Sequence, residues 1–212
     1  MEILLPLLVG FGVAFITTLL PGLLNMTAAK ISLAECRKNA MVFALGAATV
    51  VFFQAYVAVT FAKIINRRPD IVSVLEEVGV LIFFVLTVYF FFIAKKKKPK
   101  AVDGVIKIRS LTGNYFLGAM LSALNFFPIP FYVFISISLS ALKLFLFTNF
   151  YIFFFVIGAM GGALLVFYLY IIFFKKFKHR TEFLMRNVNY FIGSITGIVA
   201  IVTLLRIWKS HF

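Results

Sequence analysis

The amides Asn25, Gln54 and Asn125 stand in otherwise apolar sequence, and two of them lie beside helix breakers. Asn25 follows Pro21-Gly22 in TLLPGLLNMTAAK, and Asn125 precedes Pro128 and Pro130 in LNFFPIP. Proline deletes a backbone donor and frees a carbonyl four residues earlier, an insult of about 3 kcal/mol in a helix interior. If a helix restarts after Pro21-Gly22, the amides of Leu23, Leu24 and Asn25 form a half-helix N-terminus able to hold a carboxylate. The carbonyls of Thr17, Leu124 and Phe126, freed by Pro21, Pro128 and Pro130, could accept from an ammonium. Gly22 would let a ligand approach the backbone. The chemistry on offer is the holding of a small zwitterion without charged side chains. The structural alternative makes Asn25, Gln54 and Asn125 clamps between helices, about 1 kcal/mol each. Gly46, Gly158, Gly161 and Gly162 read as close-packing positions, and Tyr56, Tyr132, Tyr168 and Tyr170 as packing residues.

Other chemistries find little material. One cysteine, Cys36, gives neither an internal disulfide nor a thiol pair, and two histidines among scattered acids give no metal-ligand spacing. No cofactor and no enzymatic activity are expected, since lipid-modifying enzymes present Asp, His or Arg clusters that this chain lacks. A net charge of +14 would suit nucleic acid, but the Lys and Arg lie in short loops between apolar runs, where anionic headgroups are the expected partner.

These residues must be positioned by lipid-embedded helices. The chain is 63% hydrophobic with 29 Phe, beyond what a wetted domain carries. Apolar runs long enough to cross a bilayer recur at Ile3–Met26, Ala40–Ala62, Val74–Ala94, Thr112–Leu139, Leu144–Phe174 and Val188–Ile207. The first reads as a retained span, without a basic n-region or cleavage site. Lys and Arg divide between alternate loops as 15 and 6, so the positive-inside rule puts both termini outside the cytoplasm. The run KKKKPK from Lys95 reads as a stop at the headgroups. Lys30 and Glu35, in the first cytoplasmic turn, are candidates for gating or coupling, against the simpler reading of a solvated pair. Glu76 and Glu77 lie near the outer end of segment three, so no acid is expected at the membrane centre.

The breaks recur. Pro21 follows Gly12 by nine residues and Pro128 follows Gly118 by ten; FALGA at Phe43–Ala47 is echoed by FVIGA at Phe155–Ala159, and Gly79 by Gly193. With three spans per half, a repeat must be inverted. The expected fold is therefore all-α: one transmembrane domain, residues 1–212, of six helices in two inverted three-helix repeats. The halves are about 1–94 and 112–207, joined by a basic linker 95–111, and the first and fourth helices are interrupted. The interruptions would straddle the membrane centre around a shared wet pocket lined by Pro21, Gly22, Leu23, Leu24, Asn25, Gln54, Asn125, Pro128 and Pro130, the usual pointer to a carrier's binding site.

The stretch PGLLNMTAAKISLAECRKNAMVFALGAATVV, Pro21–Val51, resembles the first signature of the LysE/RhtB amino-acid exporters: a Pro-Gly break, an Asn, a basic turn and a glycine-spaced second helix. The run Asn125–Pro130 echoes that family's second break. Leu23 replaces the family's second proline, and two Phe separate Asn125 from Pro128. The resemblance implies export of an amino acid or related metabolite across the bacterial inner membrane, driven by the proton gradient. A flippase or exporter of a lipid-like cargo on the same architecture is the alternative. Homo-oligomerisation stays open.

Overall fold

A computed structural model describes residues 3–93 and 109–186 and, beyond them, 190, 193–194, 197–198, 200–201, 204–205 and 208. Most of the linker 95–111, including Lys95–Lys98, Lys100 and Lys107, and much of the segment 188–207 lie outside the described residues. Among the described residues the ordered elements are all helical: α1 Leu4–Thr18, α2 Leu23–Ala34, α3 Arg37–Ile65, α4 Pro69–Val88 with a π-helical turn Tyr89–Ile93, α5 Leu111–Ala123, α6 Pro128–Ala141 and α7 Asn149–Arg186. Two helical stretches, Arg37–Ile65 and Asn149–Phe173, are long and apolar enough to cross a membrane. The pairs α1 with α2 and α5 with α6, bent by 78° and 62°, are apolar enough together to bring the number of spans to as many as four, if each pair is one span.

The composition of the helices is inside-out. On α3 most buried positions are small, with Ala40, Ala44, Ala47, Ala48, Ala55, Ala58 and Ala62 all at 0% exposure and Phe43 the large exception. Its outward side chains are large and apolar: Phe53, Val57, Phe61 and Ile64 each expose more than half their surface. Water would penalise that arrangement, whereas lipid is indifferent to it and leaves close packing of small residues to hold helices together. The chain is thus built as a membrane protein.

The chain divides into two compact units, residues 1–64 with 104–178, and 65–103 with 179–212. In the second, Gly193 lies against the Phe91 ring, Gly197 against Thr87, and the rings of Phe91 and Tyr190 are 6.0 Å apart. The first holds the interrupted helices. There α1 lies on α7 and α5 on α3 so closely that a methyl group on Gly10 would collide with the backbone of Phe155, on Gly158 with that of Leu7, on Gly118 with that of Phe43, and on Gly46 with that of Tyr115. Gly162 meets the backbone of Phe11 and Phe15. Gly12, by contrast, has nothing within 4 Å, so the counterpart of Gly118 by packing is Gly10 and not the Gly12 that proline spacing selects. Gly161 meets only the side chain of Phe11.

Register gives the directions. Along α1 and α7, Leu7 meets Gly158, Phe11 and Phe15 meet Gly162, and Leu19 meets Tyr170, so the two run parallel. Along α3 and α5, Thr49 meets Tyr115 and Gln54 meets Ser122, again parallel. At the other end of α3, Lys63 donates to Asn149 of α7 (2.7 Å), while Phe43 and Ala47 share a core with Ala163 and Phe167. Hence α3 and α7 are antiparallel.

Candidate functional site

Both interruptions exist, and each is repaired by a side-chain amide. At the first, α1 ends at Thr18, the buried Pro21 follows, and Gly22 sits extended (φ −124°, ψ −179°) as the cap of α2, whose first bond runs from Met26 N–H to the Gly22 carbonyl (3.0 Å). The amides of Leu23, Leu24 and Asn25 are the unpaired first donors of α2, as a restarted helix requires. Asn25 folds back across the gap, its Nδ2 donating to the carbonyls of Thr18 (2.7 Å) and Leu20 (2.9 Å). Tyr170 of α7 donates its hydroxyl to Leu19 (3.0 Å).

At the second, α5 ends at Ala123 and Pro128 opens α6 at its first turn, where proline's missing donor costs nothing. Gln54 of α3 reaches across, Nε2 donating to the carbonyls of Ser122 (3.2 Å) and Asn125 (3.0 Å). Asn125 contributes its backbone; its side chain is exposed, as is Pro130.

The acceptors differ from those that proline spacing selects. The carbonyls held at the breaks are those of Thr18, Leu19, Leu20, Ser122 and Asn125, because each helix stops before its proline and exposes its own last carbonyls. Of the carbonyls that proline spacing selects, that of Phe126 takes the Ile129 N–H (3.2 Å). What remains open is the other half of each amide. Asn25 Oδ1, Gln54 Oε1 and Asn114 Oδ1 are buried acceptors without a hydrogen-bond partner, on residues 3%, 8% and 0% exposed.

The two breaks lie at different levels along the helices. With Lys63 opposite Asn149, residue 158 of α7 is level with Gln54, and Tyr170 lies twelve residues further on, about 18 Å at helical rise. The two capped breaks are staggered by that distance along the helix axes.

Of the gating candidates, Lys30 is half-buried on α2. Glu35 ends that helix, and its carboxylate accepts from Asn39 Nδ2 (2.5 Å), Asn114 Nδ2 (2.9 Å) and the Arg109 N–H (3.4 Å). Desolvation pushes the carboxyl up, but the bonds from Asn39, Asn114 and Arg109, with the Arg109 charge, outweigh it and hold the group below its ordinary value. The sequence pattern left Asn114 unmarked and gave Tyr170 as a packing residue. Asn114 was legible there as an amide inside an apolar run; Tyr170 resembles any packing tyrosine. Among the described residues no cluster of His, Cys, Asp and Glu could hold a metal. Compared with family models, with curated proteins and with solved structures, the chain matches none of them.

Proposed function

We propose that the chain is a secondary carrier built of two inverted repeats, residues 1–94 and 112–207, exporting an amino acid or similar small metabolite across the bacterial inner membrane on the proton gradient. The carrying observation is the pair of sharply bent helices whose freed carbonyls are capped by buried amides that each keep an empty acceptor. Carriers use such interrupted helices to hold a ligand where lipid forbids charge. The repeat is supported by reciprocal packing: Gly10 on Phe155 matches Gly118 on Phe43, and Gly158 on Leu7 matches Gly46 on Tyr115. Since α1 parallels α7, α5 parallels α3, and α3 opposes α7, the interrupted helices α1 and α5 run in opposite senses. The resemblance of Pro21–Val51 to the LysE/RhtB signature supports the cargo class and direction.

In this reading a substrate carboxylate meets the amides of Leu23 and Leu24, and its ammonium donates to Asn25 Oδ1. The carbonyls at the break stay with Asn25 Nδ2 and Tyr170, so the amide oxygen replaces them as acceptor. Gln54 Oε1 offers an equivalent acceptor at the second break, reached as the carrier alternates. Counterflow in proteoliposomes with a panel of labelled amino acids, with and without a protonophore, tests this. Accumulation that Asn25→Ala abolishes is the expected result; no accumulation of any amino acid, or undiminished flux in that variant, overturns it. One observation favours the lipid-like alternative: the exposed side chains at the breaks, Leu23, Leu124, Phe126 and Phe127, are apolar and each more than 60% exposed. Scrambling of a fluorescent lipid in the same vesicles, with no amino-acid flux, would select it.

A further inference from the structure

We infer that Glu35 and Asn114 form a gate, a carboxylate-to-amide tie between α2 and α5 that must part when the carrier opens at that end. It rests on the transport reading for its purpose, but its geometry is independent of any cargo. The Glu35 carboxylate joins three elements at once: the end of α2, the first turn of α3 through Asn39, and the start of α5 through Asn114 and the Arg109 N–H. It sits at the N-terminal end of α5, where the helix dipole and first donors favour an anion. Among the described residues of this unit Glu35 is the sole carboxylate.

Three features suit a tie that opens better than a permanent one. Asn114 is 0% exposed, yet its Oδ1 has no partner; a leucine would pack there without that penalty. The tie also joins the half-helix that follows the first break, α2, to the one that precedes the second, α5, so hinging at either break pulls on it. Finally, it has no twin. Gly10 and Gly118 differ by 108 in number, an offset that takes Asn114 back to Pro6 and Glu35 forward to Lys143. That end is held instead by apolar and aromatic packing, with Phe145 against Tyr151 and Phe155, ring centroids 5.1 Å apart in each pair. One end of a duplicated design thus carries a polar latch and the other an aromatic plug.

The native, exposed Cys36 adjoins the latch and serves as one probe site. Full-length protein in nanodiscs, spin-labelled at Cys36 and at the exposed Leu111 after Leu111→Cys, reports the separation of the α2–α3 turn from α5 by pulsed electron resonance. Wild type should give one dominant short distance. Glu35→Gln, nearly isosteric on a half-buried residue, should raise the separated population about tenfold, equivalent to about 1.4 kcal/mol. Asn114→Asp, which sets two carboxylates face to face, should raise it further. The combination of both should return it toward wild type, because the carboxylate-to-amide pair re-forms with its partners exchanged. Identical distributions in wild type and Glu35→Gln overturn the gate, even where counterflow succeeds. So does failure of a folded double variant to restore the distance. A shifted distribution in a protein that moves no cargo keeps the gate and removes the carrier.

Discussion

Asn25 spends its amide on its own chain, and that choice shapes what the site can do. Its two donors satisfy Thr18 and Leu20, which would otherwise be bare carbonyls in an apolar surround, each costing about 1–3 kcal/mol. Asn25→Ala should therefore lower stability by about 2 kcal/mol or more, read as an earlier thermal transition in detergent. Asn25→Asp should fail equally, because its oxygens would face those carbonyls. Asn125→Ala should change little, since the part of Asn125 that Gln54 holds is main chain. At Glu35 the sign follows from its lowered value. The tie to Asn114 is complete above the ordinary carboxylate value of 4.5 and is lost as pH falls through the lowered one. The Cys36-to-111 distance should thus hold from about pH 8 to about pH 5 and lengthen only in stronger acid; a transition near neutrality would contradict the assignment.

Helices were easier to read than their partners. Pro21-Gly22 and Pro128-Ile129-Pro130 announce their breaks because the missing donor acts locally, whatever the chain packs against. Who repairs each break is a tertiary fact: nothing around Gln54 or Tyr170 in the sequence points to residues 68 or 151 positions away. The same limit explains Gly12. Glycine marks where a backbone can approach, but the face that meets α7 carries Gly10, and Gly12 turns elsewhere. Gly10→Ala and Gly46→Ala should each cost about 3 kcal/mol, since backbone opposite backbone cannot yield as a side chain does. Gly12→Ala should be neutral or slightly stabilising, as alanine favours helix over glycine by about 1 kcal/mol. Equal thermal shifts at positions 10 and 12 would refute this packing.

For the whole molecule the strongest legible signal was composition, and the structure explains it: a chain 63% hydrophobic packs alanine and glycine where its helices meet, keeps a few phenylalanines such as Phe43 and Phe155 in the core, and turns others such as Phe53 and Phe92 outward. The uneven distribution of Lys and Arg, 15 against 6, predicts that a reporter fused at either terminus is reached only from outside the cytoplasm. Protease protection in oriented vesicles checks that. The docking of α1 on α7 and of α5 on α3 carries one more consequence, for biosynthesis. Gly10 has its mate at Phe155, so α1 leaves the ribosome with its docking groove still untranslated, and must wait until α7 emerges. Two fragments severed in the basic stretch before α5 should, when made together in one cell, find each other and assemble, while each alone should be degraded.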